Sequence, residues 1–238
     1  INSGVANAFT GRQGLRDAVT TSKHLAKELG IDEKLVIPSS TGVIGGRLPV
    51  DKMKKAFPIL VNELSDEGLD SVAEGIMTTD AFPKHASKKI KIDGKTGTVA
   101  ASGKGAGMND VSMPLNKMMV GGDTSTNDTV LLLASGKAGN KAIKDRGADY
   151  EKFESAVTEV ANEVAEMIVK DGEGATKIVK ITVKGAKTEK DAARIARTLG
   201  TSLLVKTAFF GEDPNWGRIV AAAGRSGVKF DPDKLDLY

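Results

Sequence analysis

The longest regular pattern in the chain lies between Tyr150 and Lys170. There Phe153, Ala156, Val157, Val160, Ala161, Val164, Ala165 and Ile168 recur on one face of a 3.6-residue period, which predicts an amphipathic helix. Gly172 is well placed to end it. A second helix is predicted over 15–29, where Leu15, Ala18, Val19, Leu25, Ala26 and Leu29 keep helical spacing up to Gly30. Asp51 is the expected cap of a third helix that Pro58 ends or kinks, and a fourth is expected around 69–76. Strands are predicted at 35–37, 130–134, 178–183 and 203–209. A hairpin is predicted from Lys89–Ile92 and Thr98–Ala101, turning at Asp93-Gly94. Thr188 and Asp191 are spaced as a capping pair for a helix through Leu199. This alternation predicts an α/β protein with helices covering sheet faces. It divides into a main part over 1–176 and a smaller strand–helix–strand unit over 177–238.

Composition narrows the classes of function. Aromatic residues make up only 4% of the 238, so the core is built from Val, Ile, Leu, Ala and Met, and no stacking platform for bases is offered. The net charge of +3 is spread along the chain, which argues against a nucleic-acid partner. No apolar run approaches the roughly 20 residues that span a bilayer. The opening Ile1-Asn2-Ser3-Gly4 is not a basic segment leading into an apolar core, so no signal peptide is expected. There are no cysteines, which removes disulfides, thiolate metal sites and a cysteine nucleophile and fits a reducing, cytoplasmic setting.

Several short motifs fail on their spacing. Asp93-Gly94-Lys95-Thr96 lacks the glycine that a phosphate-binding loop needs five residues before Gly94, where Lys89 stands. Asp231-Pro232-Asp233 begins like a calcium loop but has Leu235 and no downstream glutamate. His24 and His85 have no spacing that would pair them on zinc, so no metal site is expected. Three segments hold more chemistry. Ser40-Thr41-Gly42-Val43-Ile44-Gly45 is either a tight turn or a set of N–H and O–H donors aimed at an oxyanion. Lys104, among Gly103, Gly105 and Gly107, is either a solvated loop lysine or a cation that orients a carboxylate. In Asp171-Gly172-Glu173-Gly174-Ala175-Thr176-Lys177 the glycines suit a helix end, and Glu173 is able to present a carboxylate to an amine.

Long polar runs carry a resemblance. Asn2–Ala8, Ser40–Gly45, Gly75–Asp80, Lys104–Met108, Gly122–Ala134, Asp171–Lys177 and Leu204–Gly224 occur in the order, and with the wording, of the ornithine acetyltransferase family, the bifunctional glutamate N-acetyltransferases. The resemblance implies a four-layer α-β-β-α fold and a precursor that cuts itself before a threonine. That threonine would carry acetyl from N-acetylornithine to glutamate without a cofactor, in arginine biosynthesis. It further implies that Thr41 and Gly42 form the oxyanion hole, that Thr78 and Lys104 contact substrate, and that Glu173 meets the substrate amine. Gly122–Thr129 and Phe210–Arg218 would support the architecture through polar networks.

The chain departs from the family pattern after Met108. The family continues there with a Pro-Asn-Met-Ala-Thr-Met-Leu type of segment that carries the scissile bond. This chain reads Asn109-Asp110-Val111-Ser112-Met113-Pro114 and then runs into residues resembling a much later stretch. The nucleophilic threonine is not found, and Ser112, the nearest hydroxyl, has no freed α-amine to serve it. The family's opening and closing segments are likewise not matched. The faces that such segments would cover make self-association an expectation.

Overall fold

The computed structural model describes residues 1–106, 118–120, 125–126 and 129–238. Among these the chain mixes seven α-helices with one two-stranded antiparallel sheet. The sheet is the hairpin β1 (Lys84–Ile92) and β2 (Lys95–Gly103), paired from Lys84↔Gly103 to Ile92↔Lys95. Its turn is Asp93-Gly94 with φ of 48° and 73°, the two left-handed residues that match the twist of the strands. Both strands are longer than their apolar positions predict.

The long helix α4 (Ala148–Lys170) lies on this hairpin and buries Ala156, Val160, Val164, Ala165 and Ile168. Val160, Val164 and Ile168 pack with Ala86, Val99 and Ala101, residues of one sheet face because Ala86 pairs Ala101 and Lys88 pairs Val99. Contact is so close at Gly103 that a Cβ there would stand 2.6 Å from Val164 Cγ1. Helix α3 (Leu69–Gly75) also touches both strands.

The helix α1 (Gly11–Leu29) packs on α2 (Val50–Asn62), but with an unexpected face. It buries Gly14, Asp17, Thr21 and Ala26, while Leu15 and Val19 of the predicted stripe are exposed. Asp17 is the reason: Gln13 and Arg47 both donate to its carboxylate, joining α1 to the segment that enters α2. In α2, Pro49 rather than Asp51 stands at the cap, and the helix continues four residues past Pro58.

The C-terminal unit corrects the predicted strand–helix–strand. It is helical: α5 (Glu189–Gly200), α6 (Leu203–Phe210) and α7 (Trp216–Gly224) enclose Ile195, Leu199, Val205, Ala222 and Ala223. Thr188 caps α5 as expected, accepting from the Asp191 N–H. The predicted strand 203–209 is α6 because Ser202 caps it, accepting from the Val205 N–H. Among the described residues the predicted strands at 130–134 and 178–183 have no strand pairing, and Leu132 and Leu133 are exposed. Residues 33–35 form a single 3-10 turn where a strand at 35–37 is expected, with the Asp32 carboxylate capping the Lys34 N–H. Among the described residues, no helix is long and apolar enough to cross a membrane.

Candidate functional site

The site is built on a backbone pairing between two segments distant in sequence. The segment beginning at Asn2 runs parallel to 39–45, with bridges Asn2↔Ser40 and Val5↔Val43. Asn2 N–H donates to Ser39 O, Thr41 N–H to Asn2 O, Val43 N–H to Gly4 O and Ala6 N–H to Val43 O, at 2.9–3.1 Å. Gly42 sits at φ 130° with its Cα against the other segment, and a Cβ on it would lie 2.3 Å from the Gly4 carbonyl carbon. Only glycine fits there.

This pairing decides which donors the turn can offer. The Thr41 N–H is committed to Asn2 O at 3.0 Å and is not available to a ligand. The Gly42 N–H has no partner among the described residues. The Thr41 hydroxyl accepts a hydrogen bond from the Lys104 ammonium at 2.9 Å, which leaves its own proton to donate.

Lys104 follows β2 directly and reaches a second hydroxyl, Thr78 Oγ1, at 2.7 Å. Asp80 Oδ2 lies 3.9 Å from the same ammonium. Next to this trio, Thr79 donates to Glu173 Oε1 at 2.7 Å, and the Glu173 N–H donates to Ala106 O at 2.6 Å. Four of the predicted site residues, Thr41, Gly42, Thr78 and Lys104, thus share one locality. Glu173 is brought to its edge through the neighbours of Thr78 and Lys104. Thr78 and Glu173 are exposed and Lys104 is partly so, which leaves the cation, the hydroxyls and the carboxylate open to a polar ligand.

Beneath them is a charge cluster that sequence reasoning missed. Lys84, the first residue of β1, is fully buried. Its ammonium donates to Asp80 Oδ1 at 2.7 Å, to Asp171 Oδ2 at 2.5 Å and to Phe82 O at 3.3 Å. Asp80 also accepts from the Gly105 N–H at 2.7 Å and the Thr78 N–H at 3.0 Å. Burial works to raise the Asp80 pKa. The bond from Lys84 and the two backbone N–H groups outweigh it and hold the carboxyl below its ordinary value. A signal for Lys84 exists in the alternation of β1: counting back from Ile92 and Ile90 through Ala86 places it on the inward face. Asp80 and Asp171 lie inside the family-like runs. Ser112 and most of Gly122–Thr129 fall outside the described residues. Among the described residues no cluster of His, Asp or Glu could hold a metal ion.

Comparison with known proteins bears on what such a site serves. The model of the ArgJ family matches residues 1–114 and 109–238. The arginine biosynthesis bifunctional protein ArgJ of Symbiobacterium thermophilum is 44% identical over 265 aligned positions, covering 100% of this chain and 66% of the relative. That of Thermotoga neapolitana is 44% identical over 266 positions, covering 100% of this chain and 67% of its own length. The chain therefore spans about two thirds of these relatives, just under that for the first. A solved ornithine acetyltransferase from Mycobacterium tuberculosis, complexed with ornithine, aligns at 36% identity over 47% of this chain and 60% of its own, with a TM-score of 0.42, a likeness too partial to bear on the fold. The alignment to the first relative is about 27 positions longer than the chain (265 against 238). The two family-matched stretches meet at 109–114, where the sequence departs from the family pattern. Between them they take in every residue, and the chain belongs to the ArgJ family.

Proposed function

We propose that this chain carries the substrate-holding part of an acetyltransferase that moves acetyl from N-acetylornithine to glutamate in arginine biosynthesis. The observation that carries the reading is the Lys104 ammonium donating to both Thr41 and Thr78. It gathers a cation and two hydroxyls around one point, with the Glu173 carboxylate beside them. In this reading Lys104 and Thr78 hold the polar end of the amino acid and Glu173 pairs with its amine. The Thr41 hydroxyl and the Gly42 N–H donate to the oxyanion. The threonine freed by self-cleavage, which is not found in this sequence after Met108, would attack the acetyl carbon and give its proton to its own α-amine. The C–N bond breaks and ornithine leaves with that proton. The glutamate amine then attacks the ester, the C–O bond breaks and the threonine hydroxyl is restored. No cofactor is required, since the ester carries the acetyl group.

A second reading, a catalytically silent deletion variant that keeps the binding residues, is favoured by one specific observation. The residues after Met108 omit the threonine segment, and the relative's alignment needs about 27 more positions than this chain has (265 against 238). Intact mass spectrometry after incubation with N-acetylornithine separates the two. Two fragments and one added acetyl group are expected of the enzyme. A single uncut chain that never gains acetyl strikes down the enzyme reading and leaves the silent one.

The four-layer sandwich, a cytoplasmic setting and self-association belong to the same proposal. The exposed run Val130–Leu133 supports self-association. The division at 176/177 is supported by the two separate apolar cores.

A further inference from the structure

We infer that Lys84 is a positioning residue: one buried ammonium, clamped between Asp80 and Asp171, places Lys104 and Glu173 together. The inference rests on the reading of those two groups as substrate contacts. Three segments, 78–82, the start of β1 and 171–173, meet at this cluster. Asp80 spends both carboxylate oxygens on fixing backbone, accepting from the Thr78 and Gly105 N–H groups that flank the Lys104 site. Asp171 does the same for the Ala81 N–H, at 2.9 Å, and leads by two residues into Glu173. Lys84 bridges the two carboxylates. Its Cα is fixed by the hairpin, since Lys84 pairs Gly103 and Ser102 Oγ donates to Lys84 O at 3.2 Å. The rigid strand thus holds the ammonium, and the ammonium holds the loops 78–82 and 171–173.

Charge gives the arrangement a direction. Two buried carboxylates face one buried ammonium, so the cluster carries a net negative charge that the Lys104 ammonium, 3.9 Å from Asp80, offsets. Removing the Lys84 charge leaves two carboxylates under a single cation. Asp80 would then draw Lys104 away from the hydroxyls of Thr41 and Thr78, and the Asp171 loop would lose its tie. Both ends of the site would move for one substitution that touches neither.

The test is reductive methylation of the whole chain with formaldehyde, mapped lysine by lysine by mass spectrometry, on the wild type, Lys84→Met and Asp171→Asn. Far-UV circular dichroism reports the fold of the first variant, and the slow labelling of buried Lys84 reports it in the second. In Lys84→Met the Lys104 rate is expected to fall about tenfold or more, as Asp80 draws the ammonium into an ion pair, and in Asp171→Asn it is expected to rise, as one carboxylate fewer attracts it, while exposed Lys23 is unchanged. An unchanged Lys104 rate in both variants overturns the inference. So does an equal acceleration of every lysine, which would make Lys84 a determinant of the fold alone. Calorimetric titration with N-acetyl-L-ornithine is run in parallel, with Glu173→Gln as the control that weakens binding and leaves Lys104 labelling alone. Failure of the wild type to bind strikes the substrate reading only, because labelling still decides the role of Lys84.

Discussion

At the scale of single residues, the site rests on one carboxylate whose proton is held off. It is that of Asp80, and its depressed pKa results from contacts that also shape the site. A group with a folded pKa below its unfolded value stabilises the fold fully above the unfolded pKa. That contribution is lost as pH falls through the folded one. The stability of this chain should therefore decline below the ordinary aspartate value of about 3.9. Asp17, lowered first by its bond from Gln13, and Glu159, lowered first by its bond from Lys88, act in the same sense. Asp80→Asn removes one of the three contributions, so urea midpoints measured from neutral to acid pH should change less steeply in the variant. Equal slopes would show that Asp80 titrates alike in the folded and unfolded chain.

At the scale of elements, the tightest junction is α4 on β2 at Gly103. Alanine is usually better than glycine inside a strand by roughly 0.5–1 kcal/mol. Here the added Cβ would meet Val164 Cγ1 at 2.6 Å, and a β-branched side chain in a helix has no second rotamer to offer. Gly103→Ala is thus expected to destabilise by about 1–3 kcal/mol. Val164→Ala in the same chain should recover part of that loss, read as a coupling in a double-mutant cycle by chemical denaturation. Strict additivity would place the clash elsewhere. What was legible at this scale follows the physics of pattern. The α4 stripe and the 93–94 turn are local signals, and the structure contains both. The run Leu203–Phe210 was not legible, because a continuous apolar stretch fits a buried strand and a buried helix equally, and the deciding residue is the cap Ser202 outside it. The face that α1 buries differs from its apolar stripe for another reason. Asp17 is buried by Arg47, 30 residues away, and no window on the helix contains that partner. The site shows the same division. Thr41, Gly42, Thr78, Lys104 and Glu173 stood out in their runs, whereas Lys84 looks like any surface lysine until the strand register turns it inward.

At the scale of the whole molecule, the two apolar cores share no residue. One is Ala86, Val160, Val164 and Ile168 between the hairpin and α4, and the other is Ile195, Leu199, Val205, Ala222 and Ala223 among α5, α6 and α7. If the chain is two units divided near 176, each core should support its own cooperative transition. The single tryptophan, Trp216, lies in α7 and reports the second unit alone, while far-UV circular dichroism averages over both. Ile168→Ala empties part of the first core and should cost about 2–5 kcal/mol there. It should move the dichroism curve to lower denaturant and leave the Trp216 fluorescence midpoint in place. Leu199→Ala, of similar cost, should move the Trp216 midpoint and only part of the dichroism change. Coincident shifts of both probes by either variant would mean one cooperative body. The candidate site would then draw on the stability of the C-terminal helices as much as on its own hairpin.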